Sequence, residues 1–134
     1  MANTLPWAEK VRLLRATTVA AAPAIPDGSV DFVYHDARHD FPSVLQDLEL
    51  YWPKLRAGGV YAGHDFEDAD EAPAEALDDW AVGPDGARVG TYVAGGRAVT
   101  KAVKAAVEEF ALRVGRQVVV TRRERVWVTW YLRK

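Results

Sequence analysis

Val30-Asp31-Phe32-Val33-Tyr34-His35-Asp36-Ala37-Arg38-His39-Asp40 is answered further along by Gly58-Gly59-Val60-Tyr61-Ala62-Gly63-His64-Asp65. Each block is a short apolar β-run that stops on an aspartate. The residues between them read as one amphipathic helix. This is a β-α-β unit whose strands run parallel and end on the same edge of a sheet. Open α/β sheets bind ligands at that edge, outside the carboxyl ends of the strands. Asp36 and Asp65 are therefore expected to face one shared site.

Working outward, Ile25-Pro26-Asp27-Gly28-Ser29 reads as a turn before the first strand, Val30 to His35. Thr17 to Ala24 reads as a short Ala-rich helix. Thr4 to Leu14 reads as a short helix or helix end with Trp7, Val11 and Leu14 on one face, and Val11 to Arg15 equally as an alternating strand. After the first strand, Asp40 with Pro42 behind it marks a helix start. Val44, Leu48, Tyr51 and Leu55 recur at helical spacing. Lys54 and Arg56 then fall in the last turn, and Gly58-Gly59 ends the helix. Val60 to Ala62 is the second strand.

The segment 66–86 crowds seven acidic residues between Glu67 and Asp79 beside prolines and reads as an acidic loop with one helical turn near Leu77 to Trp80. Gly95-Gly96 is expected to open the longest helix, with Val99, Val103, Ala106, Phe110 and Val114 on its buried side and Gly115 at its end. Gln117 to Thr121 and Arg125 to Leu132 read as an antiparallel hairpin across Arg122-Arg123-Glu124. The expected architecture is α/β, mostly parallel with an antiparallel edge.

The bulk numbers exclude more than they assign. A chain of 134 residues supports a single domain, 1–134, with a real core. A net charge of −2 gives no reason to expect nucleic acid or an anionic membrane as partner. The chain has no cysteine, so disulfides and thiolate metal sites are ruled out. That fits a reducing, cytoplasmic setting. The start shows no apolar targeting segment.

The two blocks, extended to Asp31–Phe41 and Trp52–Asp65, resemble class I S-adenosylmethionine-dependent methyltransferases. More narrowly, they resemble small-molecule O-methyltransferase-like proteins with a "DFVYIDA-x-H-x-Y" block and a "W-P-K-L-x-x-GG-x-x-x-GHD" block. The tail, with Val107-Glu108-Glu109-Phe110 and Trp130-Tyr131-Leu132-Arg133-Lys134, resembles that family's last helix and closing hairpin. The resemblance covers about residues 11–134. It implies a truncated Rossmann-like methyltransferase fold with family strand order 3-2-1-4-5-7-6. No G-x-G occurs before Gly28, and the family's strands one and two, with their Gly-rich turn and ribose-binding acid, are not found, so the chain is expected to start near the family's third strand. The chain then corresponds to the C-terminal half to two-thirds of the fold, with much of the cofactor grip gone.

The resemblance implies methyl transfer from S-adenosylmethionine to an oxygen of a small molecule. It places Asp36 and Ala37 on the cofactor side. It gives Asp36, His64 and Asp65 as candidate ligands of Mg²⁺ or another divalent cation. Mg²⁺ takes oxygen ligands, and adjacent strands about 5 Å apart let two strand-end carboxylates converge on one ion. His64 is also the candidate general base, because an imidazole titrates near neutral pH. Each residue has a plainer role open to it. Asp36 caps a turn, Asp65 begins the acidic loop, and His64 packs at a strand end. His39 either faces the same cleft or caps the helix beside Asp40, while His35 alternates to the other side of the strand.

The alternative function is a non-catalytic methyltransferase-fold domain. Without the first two family strands, the edge of Val30 to His35 is open and invites pairing. That reading predicts a homo-oligomer, or a complex with a partner chain at the sheet edge. A metal-dependent hydrolase built on the same residues is disfavoured, because no G-x-S-x-G nucleophile motif occurs.

Overall fold

The computed structural model describes residues 9–67, 92–94, 97–99, 103–121 and 128–134. The acidic stretch from residue 68, the turn near Leu77 to Trp80, the Gly95-Gly96 helix start and the Arg122-Arg123-Glu124 turn lie outside those residues. So do Trp7, Trp80 and Trp127. No helix among the described residues is long and apolar enough to cross a membrane.

The elements in chain order are α1 (Thr18–Ala21), β1 (Val30–His35), α2 (Phe41–Tyr51), β2 (Leu55–Gly63), β3 (Tyr92–Ala94), β4 (Arg97–Val99), α3 (Val103–Val114), β5 (Val119–Val120) and β6 (Trp130–Arg133). The main sheet has the order β1-β2-β6-β5, and β3 pairs with β4 in a separate hairpin. β1 and β2 are parallel, while β2–β6 and β5–β6 are antiparallel. This is the mixed α/β sheet expected of the C-terminal part of a Rossmann-like methyltransferase fold. The run β1-β2-β6-β5 corresponds to the 4-5-7-6 end of the family order.

Asp40 starts α2 as expected, its carboxylate accepting from the Ser43 amide at 3.1 Å, with Pro42 in the first turn. Such a cap satisfies one of the amides a helix start leaves without a partner. The helix stops at Tyr51, a turn earlier than the 44-48-51-55 spacing suggests. Leu55 is buried, but as the first residue of β2. Pro53 removes the amide that would continue the helix. Lys54 and Arg56 are therefore outside the last turn. Lys54 instead pairs with Asp27 at 2.6 Å, and Arg56 pairs with Asp31 across β1 and β2. Gly58-Gly59 lies inside β2 rather than ending a helix.

Two further boundaries move. Val99 belongs to β4, and the described helix α3 begins at Val103. Gly115, at φ +64°, ends that helix, a conformation glycine adopts without strain. Val11 to Arg15 forms neither helix nor strand, and Val11, Leu13 and Leu14 are exposed. An alternating apolar run needs a neighbouring strand to become sheet, and no described strand lies beside it in either sheet.

The core joins both helices to the sheet. Val44 and Leu48 of α2, Ala106, Val107 and Phe110 of α3, and Leu55, Tyr61, Trp130 and Leu132 of the strands form one buried cluster. Trp52 meets Phe110 edge-to-face at 5.5 Å, and Tyr61 stacks on Trp130 at 5.9 Å. The Lys134 ammonium donates to the carbonyls of Trp52 and Leu55 at 2.8 and 2.7 Å, fastening β6 to the end of α2. A cation at a helix carboxyl end also complements the helix dipole.

Candidate functional site

Register builds the site. His35 lies against Gly63, the last paired positions of β1 and β2. Asp36 then sits one residue beyond its strand, and Asp65 two residues beyond the other. His39 follows Asp36 by three residues, just before the Asp40 cap. A turn that short brings its imidazole back toward the strand ends.

The outcome is a compact group. Asp36, His39 and Asp65 each offer a ligand atom, and these atoms lie within 4.8 Å of one another. His39 Nε2 is 3.1 Å from Asp65 Oδ2 and 3.5 Å from Asp36 Oδ1. The other Asp65 oxygen, Oδ1, lies 3.0 Å from His64 Nδ1. Asp65 thus stands between two imidazoles and is itself buried, whereas Asp36 is exposed. His64 is about one-third exposed and remains in reach of solvent.

Asp65 has φ +56°, and it is the one non-glycine residue with positive φ among those described. Aspartate tolerates that region better than most residues, but the conformation still costs free energy and needs support. The support is visible. The Phe66 amide donates to the Val128 carbonyl at 3.0 Å and the Glu67 amide to the Asp65 carbonyl at 2.7 Å. Trp130 Nε1 donates to the His64 carbonyl at 3.0 Å. The strand end is held from three sides.

Gly63 completes the frame. A Cβ there would lie 2.5 Å from the Trp130 ring and 2.8 Å from the His35 carbonyl oxygen. The glycine is needed because a buried tryptophan already fills its side-chain space.

Sequence reasoning assembled Asp36 and Asp65 at one edge, and both are there. It named His64 with them. In the structure the third atom of the group comes from His39, and His64 stands behind Asp65. For His39, left open between this cleft and a cap beside Asp40, the deciding signal was the spacing Asp36-x-x-His39 across a turn. Ala37 is exposed, next to Asp36.

A second polar pair went unread. His35 turns inward from β1, nearly fully buried, with Nε2 3.6 Å from Asp47 Oδ2. Asp47 lies on the buried stripe of α2 between Val44 and Leu48 on one side and Tyr51 on the other. A carboxylate within an apolar stripe was the available signal. Burial holds the His35 imidazole below its usual pKa, against the opposing pull of Asp47. The unfolded chain, with histidine near 6.5, therefore binds this proton more readily than the folded one. The contribution is complete above pH 6.5 and is lost as pH falls through the lower, folded value. Denaturant unfolding at pH 7.5 and pH 5 should show a loss of stability on acidification that is smaller in His35→Gln. An unchanged loss in that variant would contradict the assignment.

Comparison with known proteins bears on the same residues. A family described as "Methyltransferase domain" matches residues 2–66, which include β1, α2, β2 and the whole Asp36–His39–Asp65 group. No curated protein matches this chain. Among solved structures it is similar to a Corynebacterium glutamicum protein determined by a structural genomics consortium, with 18% identity and a TM-score of 0.56. That match covers 94% of this chain and 48% of the other, so the chain spans about half the length of its structural neighbour.

Proposed function

We propose that this chain acts as a methyltransferase-like domain that binds a small-molecule hydroxyl and prepares its oxygen for methylation, with a divalent cation held by Asp36, His39 and Asp65. The observation that carries this reading is the convergence of those three ligand atoms at the carboxyl ends of β1 and β2. The donor set fits such an ion. Two ligand atoms on opposite sides of a Mg²⁺ at about 2.1 Å are about 4.2 Å apart, and the present spread needs only small side-chain movement to reach that. Two carboxylates with one imidazole also suit Mn²⁺ and related transition ions better than an all-oxygen set would. The ion, when bound, supplies Lewis acidity that lowers the acceptor hydroxyl's pKa.

His64 is placed to take the proton. With Nδ1 facing Asp65, the carboxylate favours the tautomer protonated at Nδ1 and leaves Nε2 as the basic atom. Asp65 thereby links the two roles, with one oxygen toward the cation group and the other orienting the base. The described residues do not fit the methyl donor in the same way. No Gly-rich turn stands at a described strand end, and the glycine of this edge, Gly63, is filled by Trp130. The reading therefore concerns the acceptor oxygen, and no step is derived through S-adenosylmethionine.

The test uses 4-nitrocatechol, whose ionised form is coloured. With saturating Mn²⁺ at pH 6, the protein should convert the bound probe to its ionised form, and His64→Gln should weaken the change severalfold. No protein-dependent spectral change at saturating cation would sink the reading.

A second reading is favoured by one observation. β1 is an edge strand, and Phe32 and Tyr34 are 54% and 50% exposed on the face away from α2. Such an edge favours assembly through strand pairing, here with a second copy. Light scattering should then give a dimer for the wild type and a monomer for Phe32→Lys. A monomeric wild type at 100 μM, about the concentration where weak pairing would show, counts against it.

A further inference from the structure

A polar feature left unused lies on the other side of β1 from Phe32. A cavity of about 290 Å³ is bounded by α1, the end of β1 and the inner face of α2, with Tyr61 of β2 behind. Its size is at the small end of ligand pockets, about 300–1,000 Å³. The His35 side chain is 94% buried, since only 6% of it is exposed, and it lines this space with neither ring nitrogen hydrogen-bonded. Buried polar atoms are nearly always satisfied, so two unsatisfied nitrogens beside a cavity indicate a missing partner.

The chemistry of the lining identifies that partner. Asp47 and Asp36 contribute carboxylates, and no lysine or arginine lines the cavity. Asp47 is buried, and its ion-pair partner among the described residues is His35. At 3.6 Å that contact is longer than a hydrogen bond, so among the described residues no cation is bonded to the Asp47 carboxylate. A buried carboxylate left so is costly, and a cation bound beside it would remove the cost. Tyr51 and Tyr61 also line this space, and aromatic faces attract cations. Tyr51 already donates its hydroxyl to the Thr18 carbonyl at 2.8 Å, which fixes the ring and the α1 wall.

We infer that this cavity binds a small organic ammonium compound with an aromatic or apolar body. Its charged nitrogen sits against Asp47 and donates to His35, and its body lies among the tyrosines. Asp36 is shared by the cavity rim and the candidate cation group, so the ligand's far end reaches the strand-end site. The inference does not depend on that group holding a metal.

Benzylamine and its neutral counterpart benzyl alcohol are the probes. In titrations of ¹⁵N-labelled protein at pH 7.5, benzylamine should shift the amides of residues 33–37 and bind at least tenfold more tightly than benzyl alcohol. Asp47→Asn should bring the two probes to similar affinity. Thr18→Trp, which narrows the α1 wall, should weaken both. Equal binding of the two probes to the wild type, or no shift at residues 33–37, would overturn the inference, as would retention of the tenfold preference in Asp47→Asn. Mn²⁺ binding measured on the same samples separates the two readings, because the amine site can fail while the cation group still binds.

Discussion

Replacing Trp130 by alanine is expected to destabilise the protein by about 3–5 kcal/mol, the range for removing a large buried aromatic. Trp130 is fully buried on β6, stacks on Tyr61 and fills the space over Gly63. Its indole N–H also carries the His64 carbonyl at 3.0 Å. The loss therefore has two parts, a cavity in the core and a buried carbonyl left without its donor. The second part is local to the site. Trp130→Phe keeps much of the packing and removes the donor, so it should cost less in stability while still loosening the His64–Asp65 strand end. Urea unfolding gives the first quantity, and amide exchange at residues 64–66 gives the second. A Trp130→Ala protein within 1 kcal/mol of wild type, about the scale of an ordinary surface change, would show that the ring is not the support described here.

Gly63→Ala is expected to cost about 3 kcal/mol, at the upper end of the usual range of about 1–3 kcal/mol for overpacking. The added Cβ meets a buried ring at 2.5 Å and a backbone carbonyl oxygen at 2.8 Å, and neither is the free end of a flexible chain. Relief requires β1 and β2 to separate at His35–Gly63, the register that places Asp36 and Asp65 together. Cation affinity should then fall along with stability. The double variant Gly63→Ala/Trp130→Phe should recover part of the stability. A Gly63→Ala protein with wild-type stability would refute the close approach.

Much of the fold could be read from the chain because its signals were local. The two β-runs ending on aspartate gave the parallel pair, and Asp40-x-Pro42 gave the start of α2. Gly115 gave the end of α3. What failed had competing local meanings. The spacing of Val44, Leu48, Tyr51 and Leu55 is helical throughout, yet Pro53 broke the helix, and burial kept Leu55 in the core from a strand. Val99 fits the apolar face of α3 and lies in β4. Val11 to Arg15 alternates like a strand but has no described neighbour to pair with.

The site divides in the same way. Strand-end position alone was enough to bring Asp36 and Asp65 to one edge. Choosing between His39 and His64 needed the turn geometry after β1 and the left-handed backbone at Asp65, which rotates its two oxygens toward different imidazoles. Neither shows in residue type. The His35–Asp47 pair depends on two elements meeting through space, and only the misplaced carboxylate on the apolar stripe of α2 hinted at it.

The central claim is that Asp36, His39 and Asp65 form one cation site. Calorimetric titration of Mn²⁺ into the wild type, Asp65→Asn and His64→Gln tests it most directly. Asp65→Asn preserves size and tolerates the same backbone conformation, so it reports on charge and ligation. The account predicts a single site in the wild type, binding at least tenfold weaker in Asp65→Asn, and nearly unchanged affinity in His64→Gln. No saturable binding by the wild type at millimolar Mn²⁺, or equal binding by Asp65→Asn, would contradict it.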